Sequence, residues 1–193
     1  GEGVSGFVLD LRSNPGGLLM ASVEIARQWL DEGVIVSSST RDGVSDVKRA
    51  SGRALTKAPL VVLVNEGSAS ASEILSGAIQ DNKRGVVVGK KTFGKGLIQS
   101  VRGLSDGSGM TVTIAKYLTP SGKDIHKLGI TPDVNANLSK AQAQRLKFED
   151  LGTRKDPQYR VAESELAKLL RANASAPTVS FDGEVELPAF SSN

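Results

Sequence analysis

The sequence contains no cysteine and a single histidine, His126. The lack of cysteine excludes disulfide bonds, zinc–thiolate sites and thiol catalysis. One histidine cannot form a multi-histidine metal site, and no carboxylate pattern beside it indicates a Ser-His-Asp triad. A nucleophilic hydrolase of this composition therefore has few groups that could activate its nucleophile, and lysine is the one that the sequence offers.

Aromatic residues and long apolar segments are also scarce. Aromatic side chains make up 4% of the 193 residues, and no apolar run approaches the roughly 20 residues of a membrane-spanning helix. The net charge is +3, and the densest basic group, between Lys83 and Lys95, contains no Trp or Tyr. This composition favours a solvated basic surface over a nucleic-acid groove. We therefore expect no nucleic-acid partner and no stable membrane span.

The spacing of apolar residues predicts alternating strands and helices. Short buried strands are expected over residues 6–11, 34–36, 59–65 and 86–88. Helices are expected over 18–31 and 70–82. Residues 98–104 and 110–117 alternate like an antiparallel hairpin that is closed by an Asp-Gly turn. This order predicts an α/β layered core with a mixed sheet.

The character of the sequence changes after Pro132. Amphipathic helices are expected over residues 139–147 and 158–171, and the tail that follows is rich in Ser, Ala and Pro, with one late strand at 179–187. We therefore predict a core over residues 1–137 and a helical C-terminal extension and tail over 138–193. The sequence opens almost directly on a core strand, as expected of a piece of a longer protein.

The first segment with chemical potential is the small-residue turn around Ser70, between a predicted strand and a predicted helix. A nucleophile at this point has its oxyanion stabilised by unpaired helical N–H groups and by the helix dipole. The alternative is a capping box, in which Ser70 and Glu73 only cap the helix. The spacing by itself favours the cap, and the glycines of the Gly-x-Ser-x-Gly elbow are missing.

The second segment is a glycine-lined loop that carries Lys95. A lysine acts as a general base only when it is uncharged, a state that burial among apolar groups favours. Phe93 and the apolar residues that follow could supply such surroundings; the alternative is a solvated surface lysine. The loop also has the glycine spacing of a phosphate-binding loop, but Gly96 stands where a hydroxyl residue is needed and a strand follows instead of a helix.

The third segment is Asn14-Pro15-Gly16-Gly17, directly after the first strand. Its glycine pair could present an N–H group toward a neighbouring site. The alternative is a simple tight turn, which these residue types also favour.

Together these segments resemble a known family. The matching residues are Leu11-Arg12-x-Asn14-Pro15-Gly16-Gly17, then Asn65-x-Gly67-Ser68-Ala69-Ser70-Ala71-Ser72-Glu73-Ile74, then Gly89-x-x-Thr92-Phe93-Gly94-Lys95-Gly96-x-x-Gln99. In order, spacing and content they closely resemble the carboxy-terminal processing peptidases, or tail-specific proteases. Later segments, Tyr117-x-Thr119-Pro120 and Gly129-Ile130-x-Pro132-Asp133, are similar to the next signature of that family. The resemblance covers about residues 6 to 134.

The resemblance implies a serine endopeptidase with a Ser-Lys dyad and no metal or cofactor. Ser70 corresponds to the nucleophile, Lys95 to the general base, and Gln99 to a residue that orients the lysine. The backbone N–H groups of Gly16 and Ala71 correspond to the oxyanion donors. An accessory aspartate of relatives corresponds to Asp81; the alternative is that Asp81 only caps its helix or pairs with a neighbouring basic residue.

The resemblance also implies a fold, a partner and a location. The family's core is similar to the Clp protease and crotonase fold, and its PDZ domain and N-terminal helical region are absent from this sequence. Typical substrates are exported proteins or peptides with apolar C-termini, in the periplasm, cell envelope or thylakoid lumen, and a homo-oligomer is a further expectation. Two alternatives stay open: a non-proteolytic binding module on the same core, and an inactive truncated fragment that self-associates.

Overall fold

The computed structural model describes residues 3–174. Its strands are β1 (Phe7–Asp10), β2 (Val34–Thr40), β3 (Gly43–Arg49), β4 (Leu60–Val64), β5 (Val86–Gly89), β6 (Leu97–Gly103), β7 (Gly109–Leu118) and β8 (Val134–Asn135). Its α-helices are α1 (Leu19–Trp29), α2 (Ala71–Asp81), α3 (Lys140–Arg145) and α4 (Pro157–Ala174). The late strand expected at 179–187 lies outside the described residues.

A parallel sheet with the strand order β1-β4-β5-β8 forms the centre of the molecule. All five residues of β4 are buried, because helices cover both faces of the sheet. Successive residues of a strand point to opposite faces. Accordingly, Val62 packs in the cluster that contains residues of α1 and α2, whereas Val61 packs in the cluster that contains residues of α4.

A second, antiparallel sheet has the order β3-β2-β7-β6. The hairpin of β6 and β7 forms where it was predicted, with Arg102 opposite Met110 next to the turn. The predicted α/β class is thus confirmed, with parallel and antiparallel strands in two separate sheets. β6 is an edge strand and most of its residues are partly or fully exposed.

The part after Pro132 packs against the parallel sheet. β8, which is only two residues long and was not predicted, pairs with β5. α4 contacts β1, β4 and β5, so that it covers the face of the sheet opposite α1 and α2. Within residues 3–174, no helix combines the length and the apolar character that crossing a membrane requires.

The sheet direction determines where the three motif segments lie. β1, β4 and β5 are neighbours and run in the same direction. Their C-terminal ends therefore meet at one edge, and the loop that follows each strand starts there. Each of these loops contains one of the segments singled out in the sequence.

Candidate active site

The three motif loops are bonded to one another at the C-terminal edge of the parallel sheet. The Ala69 amide, after β4, donates to the Asn14 carbonyl oxygen, after β1, over 3.0 Å. The Phe93 amide, after β5, donates to the Ser68 carbonyl oxygen over 3.0 Å. Segments that are far apart in the sequence therefore build one site.

Ser70, the predicted nucleophile, has a strained backbone. Its φ of 56° and ψ of −117° are unfavourable for a residue with a Cβ atom, and such strain is concentrated at functional sites. The path from β4 through this turn into α2 is that of a nucleophile elbow, formed without its glycines. Ser70 and Glu73 have the reciprocal arrangement of a capping box, and the Glu73 amide donates to the Ser70 carbonyl oxygen over 2.9 Å.

The neighbouring serines have structural environments that differ from that of Ser70. Ser68 is fully buried, and its hydroxyl donates to the Leu11 carbonyl oxygen over 2.7 Å. Ser72 is buried as well. Ser70 is only partly buried. Of the three, Ser70 is the serine whose hydroxyl a substrate can reach.

Glu73 connects the nucleophile turn to the lysine loop. Its carboxylate is completely buried and accepts four hydrogen bonds. Oε1 accepts from the Thr92 hydroxyl at 2.6 Å and from the Gly94 amide at 2.7 Å. Oε2 accepts from the amides of Ser70 and Lys95, each at 2.8 Å. One carboxylate oxygen therefore binds the backbone amides of both Ser70 and Lys95, the two residues predicted to form the dyad.

This role of Glu73 was missed by sequence reasoning, which treated Glu73 only as half of a capping box. That half does form, because the Glu73 carboxylate accepts from the Ser70 amide. The missed signal is the glycine-lined loop, whose backbone N–H groups need an acceptor once the loop is buried.

Lys95 itself is exposed. None of the ion pairs found among residues 3–174 includes its ammonium group. Phe93, which was expected to help enclose it, is 66% exposed. The predicted apolar surroundings of Lys95 are therefore incomplete in the described structure, because Phe93 points away from the core while its amide is held by the Ser68 carbonyl oxygen.

The two predicted oxyanion donors lie side by side. A Cβ atom on Gly16 would stand 2.6 Å from the Ala69 carbonyl oxygen and 2.7 Å from the Ala71 nitrogen. The Ala71 N–H, in the first turn of α2, is one of the donors that a helix leaves unpaired. The Gly16 N–H donates to Oδ1 of Asn14 over 2.9 Å and closes an Asx turn. One donor is therefore engaged within its own loop.

Gln99 lies on the edge strand β6 and is exposed. Because the chain after Lys95 is extended, residues four positions apart are separated by about 13 Å along a strand. The structure shows no hydrogen bond between the Gln99 and Lys95 side chains within residues 3–174. The orienting role of Gln99 therefore stays a prediction.

Asp81 lies at the opposite end of α2 from Ser70, which places the two residues about 16 Å apart along the helix. Its carboxylate accepts from the Ser121 amide over 3.0 Å. Burial raises the pKa of Asp81, but hydrogen bonds from Thr119 and Ser121 outweigh burial, and the pKa is lowered from its ordinary value. Asp81 fastens the turn at 119–122 to α2 and lies away from Ser70.

A cavity of about 130 Å³ opens beside Ala71, next to Ser70. Its walls come from α1, the start of α2 and the turn after β1, and they include Leu11, Gly16, Leu18, Ala21, Ala71 and Leu75. A small apolar side chain fits such a space. A larger cavity lies near Pro59 and Gly85, before β4 and β5, at the opposite edge of the sheet from the turn that contains Ser70. No cluster of side chains suited to a metal ion occurs among residues 3–174.

Comparison of the sequence with known proteins finds one family and several relatives. The family described as Peptidase family S41 matches residues 1–136. A carboxyl-terminal-processing protease of Synechocystis is 53% identical over 161 residues, which cover 83% of this chain and 36% of that protein. A chloroplastic C-terminal processing peptidase of Tetradesmus obliquus is 54% identical over 134 residues, covering 69% of this chain and 29% of the relative. The chain thus spans about a third of the length of these relatives.

Solved structures show the same fold. A photosystem II D1 C-terminal processing protease superposes with a TM-score of 0.69 and 48% identity, over 85% of this chain and 40% of that chain. The tricorn protease superposes with a TM-score of 0.56 and 22% identity, over 86% of this chain and 15% of that chain, a likeness of fold alone. On the family match and the close relatives together, the chain belongs to peptidase family S41.

Proposed function

We propose that this chain forms the catalytic core of a serine endopeptidase that processes proteins near their C-termini, with Ser70 as the nucleophile and Lys95 as the general base. The observation that carries the proposal is the single carboxylate oxygen of Glu73, which binds the amides of both residues at 2.8 Å. The strained, accessible Ser70 supports the same assignment.

The proposed reaction has two stages. Uncharged Lys95 takes the hydroxyl proton of Ser70 while Ser70 Oγ attacks the peptide carbonyl carbon, and Lys95 then returns the proton to the leaving amine. In the second stage, water hydrolyses the acyl-enzyme ester. The oxyanion is stabilised by the N–H groups of Ala71 and Gly16. For this, the Gly16 N–H breaks its hydrogen bond with Oδ1 of Asn14 and donates to the oxyanion instead.

Substrate binding completes the surroundings of the lysine in this proposal. Lys95 and Phe93 are exposed in the described structure, so a bound peptide that covers the loop removes water from the ammonium group and favours its neutral form. Gln99 is proposed to orient the lysine in that covered state. The substrate lies extended along a strand edge.

The substrate class follows from the cavity and the relatives. A cavity of about 130 Å³ with mainly apolar walls suits a small apolar side chain next to the scissile bond. The relatives named above include a cyanobacterial protease, a chloroplastic peptidase and a photosystem II D1 processing protease. We infer that exported proteins with apolar C-termini are the substrates, in the thylakoid lumen, periplasm or cell envelope.

Peptide cleavage tests the dyad. A labelled peptide with a small apolar C-terminal segment is expected to be cleaved, and the Ser70→Ala and Lys95→Met variants are each expected to lose kcat by about 10³-fold or more. Lys91→Met is the matched control, because Lys91 is exposed in the same loop. Cleavage by Lys95→Met at more than a tenth of the parental rate would refute Lys95 as the base.

A further inference from the structure

Arg12 links the turn after β1 to the C-terminal helix. Its guanidinium is almost entirely buried, with a side-chain exposure of 6%. Nη2 donates to Asp10 and to Asp156, each over 2.6 Å, and Nη1 donates to Oε1 of Gln158 over 3.1 Å. Asp156 and Gln158 lie at the start of α4, more than a hundred residues farther along the chain.

Asp156 is itself firmly held. Its carboxylate is fully buried and accepts from the amides of Gly152, Gln158 and Tyr159 at 3.2, 3.0 and 3.2 Å. Burial raises the pKa of Asp156, but hydrogen bonds from Arg12 and from the amides of Gly152 and Tyr159 outweigh burial, and its pKa is lowered. The carboxylate is thus a fixed anchor for the guanidinium.

Arg12 is directly followed by the turn that carries the proposed oxyanion donor. On one side the backbone of this turn is bonded to the loop after β4, because Oδ1 of Asn65 accepts from the Ser13 amide at 2.7 Å and the Ala69 amide donates to the Asn14 carbonyl oxygen. On the other side, Arg12 ties it to α4. The turn is therefore fixed between the nucleophile loop and the C-terminal helix.

We propose that Asp156 is a positioning residue for the oxyanion turn, which it holds in place through Arg12. The inference rests on the proposed function, since it assigns the turn its oxyanion role. It makes α4, which lies beyond the residues 1–136 that match the family, a part of the active-site architecture.

The competing explanation is that Asp156 only caps α4. Asp156→Asn separates the two roles, because Asn keeps an oxygen that caps a helix but loses the negative charge that pairs with Arg12. The guanidinium keeps Asp10 as a charged partner, so the variant does not leave a buried charge unpaired. Glu163→Gln is the matched control, since Glu163 lies on α4 and pairs with the exposed Arg154.

Hydrogen exchange in the full chain tests the proposal without relying on proteolysis. In Asp156→Asn, the amides of residues 12–14, 16 and 17 are expected to exchange about tenfold faster, while those of α4 and all those of the control stay near parental rates. Where peptidase activity is present, kcat falls several-fold and KM stays within about twofold. The proposal is overturned if exchange in this turn is no faster than in the parent, or if it speeds up no more than exchange in α4 does. Absence of peptidase activity in the parent protein would refute the proposed function and leave the exchange result valid.

Discussion

At the residue scale, backbone conformation and burial distinguish Ser70 from its neighbouring serines. Ser68, Ser70 and Ser72 are alike in the sequence, but two of them are buried and the hydroxyl of Ser68 is engaged. Ser70 combines partial exposure with a positive φ. The sequence allowed Ser70 to be selected only through family resemblance, because spacing favoured a helix cap. Positive φ at a serine cannot be predicted from residue type, since tertiary contacts impose it.

Glu73→Gln tests the link between the two dyad loops. The substituted side chain carries an NH₂ group in place of one carboxylate oxygen. This group would face two of the four donors that now bind the carboxylate. We expect a loss of roughly 2–4 kcal/mol in the free energy of unfolding and a fall in kcat of about tenfold or more. Denaturant titration and peptide kinetics measure these effects. Glu66→Gln is the control, because Glu66 is exposed and pairs only with Lys90; equal effects in both variants would contradict the assigned role.

Gly16→Ala tests the close approach of the oxyanion turn. The added Cβ would stand 2.6 Å from the Ala69 carbonyl oxygen, at a φ of +94°. We expect the turn to move away from Ser70, with kcat falling by about a hundredfold, as for the loss of one oxyanion donor. Gly17→Ala is the adjacent control, because a Cβ there meets nothing within 4 Å. If both variants keep parental kcat, the turn does not form the oxyanion site.

At the element scale, apolar periodicity predicted most strands and helices with ends within a few residues. β8 escaped prediction because two residues carry no periodic signal, and its place is set by pairing with β5. The position of Gln99 relative to Lys95 is likewise not set by the sequence spacing. Four residues span about one turn in a helix but about 13 Å in a strand. The sequence spacing alone therefore does not show how far apart the two side chains lie.

The outer wall of α1 is expected to set the size of the side chain accepted beside Ser70. Ala21 lines the small cavity and is exposed toward it. Ala21→Leu would fill part of this space, so kcat/KM should drop about tenfold for peptides with Leu next to the scissile bond and change little for peptides with Ala there. A panel of matched peptides measures the ratio. An unchanged preference would place the substrate side chain elsewhere.

At the scale of the whole molecule, the site exists because three neighbouring parallel strands end at one edge. The sequence predicted the segments and the α/β class, but not which strands are neighbours, since that order is fixed by long-range pairing. It also did not predict that α4 reaches the turn after β1 through Arg12 and Asp156. Contacts between such distant residues leave no local pattern in the sequence.

The ion pair of Arg12, after β1, with Asp156, before α4, predicts how stability depends on pH. The pKa of Asp156 is lowered in the folded state, so its contribution is present above the unfolded value of about 3.9 and is lost as the pH falls through the folded value. Urea unfolding should show a steeper loss of stability below about pH 4 in the parent than in Asp156→Asn, by up to about 1.4 kcal/mol per pH unit. Parallel curves for the two proteins would contradict this linkage.

The central claim is that Lys95 activates Ser70 within the assembly held by Glu73, and covalent labelling tests it most directly. A peptidyl fluorophosphonate with a small apolar residue is added at a series of pH values, and mass spectrometry locates and times the adduct. We expect label on Ser70 alone, at a rate that rises with pH in the parent and is at least about a hundredfold slower in Lys95→Met. Label on Ser68 or Ser72, or the same rate and pH dependence without Lys95, would contradict the account.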